Sequence, residues 1–110
     1  MGIRRSEELV KSHFSLNPEG NPSGGVTRLP GANILSWQDG LIKDGEQNGV
    51  FVEDVLEAAR QRLLFFNEHP TFRCRENSLA ITKIEEALQW LDWRTRQRVL
   101  GNVENTYESH

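Results

Sequence analysis

The chain holds a single cysteine, Cys74, among its 110 residues. A lone cysteine excludes an internal disulfide and any zinc site built from several cysteines. Histidine is scarce too. None of His13, His69 and His110 has a second ligand at metal-binding spacing. No apolar run approaches the roughly 20 residues that span a bilayer. The start, MGIRRSEELVKSHF, lacks the hydrophobic segment of a secretory signal. No glycine-rich phosphate loop, GxSxG elbow or GxGxxG occurs. The expectation is a soluble cytosolic protein that is not an enzyme and takes no metal or cofactor and no membrane partner. Hydrophobic residues make up 36% of the chain, and the mean hydropathy is −0.60. Small domains bury a low fraction of their surface and are marginal unless stapled or oligomeric. With no staple in the sequence, association between chains would supply the missing burial.

Lysine is also rare. Ten of the thirteen basic residues are arginine, against sixteen acidic residues, for a net charge of −3. That balance disfavours a general nucleic-acid binder, which is basic over its binding face. Arginine holds carboxylates and phosphates in a planar two-point fork, whereas lysine is a hydrated point charge. The arginines cluster as Arg60 and Arg62, Arg73 and Arg75, and Arg94, Arg96 and Arg98. The plain reading is salt bridges to the many glutamates between helices.

Three zones follow from the patterning, with an α+β fold as the sum. Residues 1–31 read as a polar flexible segment, because SLNPEGNPSGGVTRLPG is rich in Gly and Pro. A short helix from Ser6 to Phe14 is weakly patterned. Residues 32–51 read as a small antiparallel β-meander. Ile34, Leu35 and Trp37, then Leu41 and Ile42, then Val50 and Phe51, are separated by Asp39-Gly40, Asp44-Gly45 and Asn48-Gly49, which suit tight turns. Such a sheet needs a cover. Residues 52–110 read as a long helical hairpin with a polar tail.

In the first helix Val52, Val55, Leu56, Ala59, Leu63 and Phe66 form one apolar stripe. The chain breaks at Pro70. The second helix is expected to begin between Thr71 and Glu76 and to end near Leu100, with Gly101 as its cap. It has two apolar faces: Ile81, Ile84, Leu88 and Leu91 on one, Leu79, Trp90 and Trp93 on the other. One partner helix covers one face. The other face is left for another subunit, or for the N-terminal segment.

Cys74 with His69 as nucleophile and base lacks a third orienting group, and a lone cysteine is usually a small buried hydrophobe. The stronger polar signal lies at the two ends of the second helix. Arg94 and Arg98 are four apart, share a face, and repel by a few tenths of a kcal/mol, which an anion would relieve. Asn77, at the other end, can donate and accept hydrogen bonds. Phe65 and Phe66 stand just before the connection, where a ring could stack on a base. Stacking plus arginine on phosphate is nucleotide-binding chemistry. Asn77 and Arg94 are about 25 Å apart along one helix. A compact ligand therefore meets both only if a second chain packs antiparallel, giving a two-fold dimer with two shared pockets.

The run ILSWQDGLIKDGEQNGVFVEDVLEAARQRLLFF and the run FRCRENSLAITKIEEALQWLDWRTRQRVLGNVENTY resemble the phage Thoeris anti-defence proteins of the first family. Their helical hairpin domain is shared with the second family of phage anti-CBASS proteins. The resemblance covers about residues 24–107. It implies a sponge that binds an immune signalling nucleotide without cleaving it, in the host bacterial cytoplasm. The signals are glycocyclic ADP-ribose isomers, and some members also bind cyclic di- or trinucleotides of CBASS systems at separate pockets, whose residues have no counterpart placed in this sequence. It also implies homodimers assembled into hexamers, with no nucleic-acid polymer as partner. The Asn of the family's CREN motif is Asn77, and the arginines of its RTxxR run are Arg94 and Arg98. The pocket aromatic is Phe66, or Phe65 if the connection NEHPTFRC, about a residue longer than the common pattern, is shifted. The tail reads GNVENT where the family has GVEGT, with Asn105 in place of Gly. The competing reading is a structural or regulatory oligomer whose arginines bridge subunits.

Overall fold

The computed structural model describes residues 6–40 and 47–104, with side chains to residue 100. Six elements follow in order: α1 (Ser6–Leu9), β1 (Lys11–Leu16), β2 (Pro22–Leu29), β3 (Asn33–Ser36), α2 (Val52–Asn67) and α3 (Arg75–Glu104). The fold is α+β. The chain divides into two compact units, 1–51 and 52–110.

The first unit is a three-stranded antiparallel sheet in the order β1-β2-β3. It lies earlier in the chain than the patterning indicates. Residues 6–31 hold α1, β1 and β2 rather than a flexible segment, and among the described residues β3 is the one strand within 32–51. Of the Gly and Pro residues read there as a loop, Pro18 and Gly20 lie in the turn from β1 to β2, Pro22, Gly24 and Gly25 lie in β2, and Pro30 and Gly31 lie in the turn to β3. Asn17 Oδ1 accepts from the backbone N–H groups of Glu19 and Asn21 at 3.0 and 2.9 Å. Pro18 follows Asn17, and Gly20 takes φ +83°, so Asn-Pro-Glu-Gly supplies the turn chemistry. Further along β2, Gly25 sits at φ +140° beside the register shift between Phe14 and Leu16. A Cβ there would lie 2.5 Å from the His13 carbonyl oxygen. The backbones of β1 and β2 approach because this position has no side chain.

One side of the sheet is organised by Thr27, which is buried. Its hydroxyl accepts from Trp37 Nε1 at 2.7 Å and shares a hydrogen bond with Ser12 Oγ at 2.8 Å. Trp37 also forms an isolated bridge with Val50. Side chains link the segments 38–39 and 48–49. Gln38 Oε1 accepts from the N–H groups of Asn48 and Gly49 at 3.0 Å, and Asn48 Oδ1 accepts from Asp39 N–H at 2.8 Å. Asp39 and Asn48-Gly49 are thus tied to one another through side-chain to backbone hydrogen bonds. The expected Leu41–Ile42 strand and the Asp44-Gly45 turn lie outside the described residues.

The second unit is an antiparallel helical hairpin. α3 begins at Arg75, inside the expected window, and its 30 residues make a rod of about 45 Å. Cys74 precedes it. The Cys74 carbonyl accepts from Ser78 N–H at 3.3 Å and Sγ accepts from Asn77 N–H at 3.4 Å, so a thiol stands where a capping oxygen is usual. Gly101 does not end the helix, which runs on to Glu104. Glycine stops a helix where the backbone turns left-handed. In a helical backbone it costs only about 1 kcal/mol against alanine.

The apolar stripe expected on α2 is flanked by a polar row. Glu53, Arg60 and Asn67, seven residues apart, face α3 and pair with Arg94, Glu85 and Ser78 at 3.9, 3.0 and 2.9 Å. Leu56, Leu63 and Leu64 are half-buried, whereas Val52 and Ala59 are exposed. Across the hairpin Ile81 is buried and Ile84, Leu88 and Leu91 are half-buried. Leu79, Trp90 and Trp93 on the other face are exposed, Trp90 to 71%. Ile81 is the one apolar residue to fall in the buried class among the described residues.

Candidate functional site

The turn of the hairpin carries an aromatic cluster. Phe66 near the end of α2 meets Phe65 and Phe72 edge-on, with centroids 6.0 and 6.2 Å away, a favoured arrangement for paired rings. Phe65 packs edge-on against the His69 ring at 4.9 Å, and His69 Nδ1 lies 2.9 Å from the Phe65 carbonyl. Phe66 is half-buried, whereas Phe65 and Phe72 are exposed. The Arg62 guanidinium lies over the Phe66 ring, with Cζ 4.6 Å from the centroid, and 5.6 Å from that of Phe65.

Asn77 belongs to this cluster. Its Nδ2 donates to the Phe72 carbonyl at 3.3 Å. Asn67 braces the connection from the other side. Its Oδ1 accepts from Cys74 N–H at 3.2 Å, its Nδ2 donates to Ser78 Oγ at 2.9 Å, and its carbonyl accepts from Arg73 Nε at 3.2 Å. Of the expected site residues, Phe66 and Asn77 are therefore brought together around Phe72. Arg62 and Phe72 are additions. Arg62 was legible in principle, since it stands four residues before Phe66 and such pairs are neighbours on a helix.

Arg94 and Arg98 are at the other end of α3. The helix is continuous between Asn77 and Arg94, so within one chain they stay about 25 Å apart. Arg94 Nη2 lies 3.9 Å from Glu53 Oε2, at the limit of an ion pair. Arg96 pairs with Asp92 at 2.9 Å. Arg98 is exposed and has no ion pair among the described residues. Of the arginines expected to make salt bridges between helices, Arg60 makes the close one. Its Nε bonds Glu85 at 3.0 Å and its Nη1 meets Glu57 at 3.1 Å. The Glu85 hydrogen bond, then the Glu57 charge, raise its pKa above the ordinary arginine value.

A shallow groove of about 450 Å³ is lined by Gln89, Trp90 and Trp93 on the open face of α3. It contains neither Asn77 nor the arginines. Among the described residues no group of three or more His, Cys, Asp or Glu side chains could hold a metal ion, and no helix is long and apolar enough to cross a membrane. His69 engages the Phe65 carbonyl in α2 and Cys74 Sγ the Asn77 N–H in α3, rather than one another.

The sequence matches a family model described as Acb2/Tad1, hairpin domain, over residues 33–96. That span holds β3, α2 and most of α3, and with them Phe66, Asn77 and Arg94; Arg98 lies two residues beyond it. The chain is also similar to a protein of Bacillus phage SBSphiJ7 named Thoeris anti-defense 1. The two are 43% identical over 74 residues, which is 67% of this chain and 51% of that protein. The match thus spans about half the length of that relative.

Proposed function

The chain belongs to the Acb2/Tad1 hairpin-domain family, and on that premise we propose that it is a phage anti-defence sponge. It binds a cyclic immune signalling nucleotide in the host bacterial cytoplasm and holds it without cleaving it. The first candidate is glycocyclic ADP-ribose of Thoeris; CBASS cyclic oligonucleotides are the second class. The observation that carries this reading is the exposed Arg98, without an ion pair among the described residues, one turn from a loosely paired Arg94. Two like charges on one face call for an anion, and the pyrophosphate of the ligand supplies it. Each charge-assisted hydrogen bond contributes about 1.5–3 kcal/mol.

Phe66 offers a ring to the adenine, and Asn77 a donor and acceptor to a ribose hydroxyl or base edge. Because about 25 Å of helix separates Asn77 from Arg94, the pocket is built from two protomers. Asn77 and Phe66 of one face Arg94 and Arg98 of the other in a two-fold dimer, repeated in a hexamer. Enclosure between subunits slows release, and sequestration depends on slow release. The reading requires neither a general base nor a metal.

The experiment is retention. The protein is incubated with glycocyclic ADP-ribose and with cyclic di- and trinucleotides, freed of unbound ligand, and denatured. Intact ligand in the released fraction supports the sponge, and cleaved ligand an enzyme. A second reading, a structural oligomer whose arginines bridge subunits, is favoured by the exposed Leu79, Trp90 and Trp93 face. It predicts that no nucleotide is retained.

A further inference from the structure

The hairpin turn carries a cation of its own. The Arg62 guanidinium lies over the Phe66 ring, with Cζ 4.6 Å from the centroid, and a cation held by a ring keeps N–H donors for other partners. Among the described residues no carboxylate takes those donors. Arg60, two residues earlier, differs: Glu85 and Glu57 neutralise it. The α2 helix thus presents one satisfied arginine to the hairpin seam and one unsatisfied arginine to the aromatic cluster. The ring holds the guanidinium in place, so less side-chain entropy is lost when an anion binds.

We infer that Arg62 is a further ligand-binding residue, supplying a cation for a phosphate of the bound nucleotide from the same protomer as Phe66 and Asn77. This rests on the nucleotide-binding reading above. Arg94 and Arg98 then grip the anion from the partner, and Arg62 grips it from the side that also holds the base. The face of Phe66 under Arg62 is not open to the base. Adenine meets the part of the Phe66 ring that Arg62 leaves uncovered, and the phosphate lies toward the guanidinium.

Arg62→Gln and Arg62→Lys are tested by calorimetric titration with glycocyclic ADP-ribose and with ADP-ribose, at low and high salt. Circular dichroism checks that each variant keeps its helices. With wild type binding, Arg62→Gln is expected to weaken affinity about tenfold to a hundredfold, the equivalent of one charge-assisted hydrogen bond. It is also expected to flatten the dependence on salt, because a screened charge contact has gone. Arg62→Lys is expected to keep the salt dependence and lose affinity through the poorer fork. Wild-type affinity and salt dependence in Arg62→Gln would overturn the assignment while leaving the sponge intact. Weakened binding with unchanged salt dependence would also overturn it, making Arg62 a support for the Phe66 ring. Failure of wild type to bind either probe would overturn this inference and the reading beneath it for these ligands.

Discussion

The amide of Asn77 donates to the Phe72 carbonyl at 3.3 Å, fastening the first turn of α3 to the aromatic end of the connection. The contact is long and Asn77 is half-buried, so its loss costs no more than about 1 kcal/mol of stability. In the proposed pocket the same side chain is offered to the ligand. Asn77→Ala is therefore expected to shift the melting midpoint little. Ligand affinity should fall at least about tenfold, since one hydrogen bond to a polar group is lost in an enclosed site. Thermal melting and calorimetric titration on the same preparation check both. A large loss of stability with unchanged affinity would make Asn77 a structural residue of the turn.

Arg94→Ala and Arg98→Ala are expected to abolish nucleotide retention while leaving the mass of the oligomer unchanged. Exposed pairs such as Arg94 with Glu53 stabilise by about 0–1 kcal/mol, too little for its loss to unfold the hairpin. Sedimentation beside the retention assay separates the outcomes. Collapse to monomers would identify these arginines as interface residues first.

Ala32 is the one non-glycine residue with positive φ among the described residues, at 61°. It follows Pro30-Gly31 in the turn from β2 to β3, where Asn33 Nδ2 donates to the Pro30 carbonyl at 2.9 Å. Left-handed backbone costs an L-residue about 1–2 kcal/mol, and glycine escapes this at some cost in unfolded-state entropy. Ala32→Gly is expected to stabilise the fold by about 0.5–1 kcal/mol. Gly25→Ala is expected to destabilise it by more than about 1 kcal/mol, because its methyl group would meet the His13 carbonyl. Denaturant unfolding of the two variants reads both signs.

The helical hairpin was legible because its period survives in Leu56, Leu63, Ile81, Ile84, Leu88 and Leu91. The exact face of α2 was not. Arg60 is legible as a bridge between helices, whereas nothing in the pattern singles out Glu53 and Asn67, yet the three recur every seven residues and reach across to α3. The sheet was misplaced because Lys-Ser-His-Phe-Ser-Leu and Pro-Ser-Gly-Gly-Val-Thr-Arg-Leu carry few β-branched residues. Their strand character comes from the Asn17 turn and from pairing, not from propensity. Asn77 was placed by its position in a motif. Its bond to Phe72 depends on the path of the connection, which spacing does not encode.

Trp90 and Trp93 are exposed on the face of α3 that carries Leu79, opposite the buried Ile81. Indole rings carry large apolar area, and an exposed patch of this kind marks an interface. In the dimeric reading this face is where a second copy adds the burial that a small unstapled chain lacks. Trp90→Glu with Trp93→Glu is expected to shift the sedimentation coefficient toward the monomer. A shared pocket then requires nucleotide retention to disappear with the dimer, although Asn77, Arg94 and Arg98 are all unchanged. Monomers that still bind at wild-type affinity would place the complete pocket within one chain, against the 25 Å or so of helix between Asn77 and Arg94. Loss of retention with the oligomer intact would instead put the indoles in contact with the ligand.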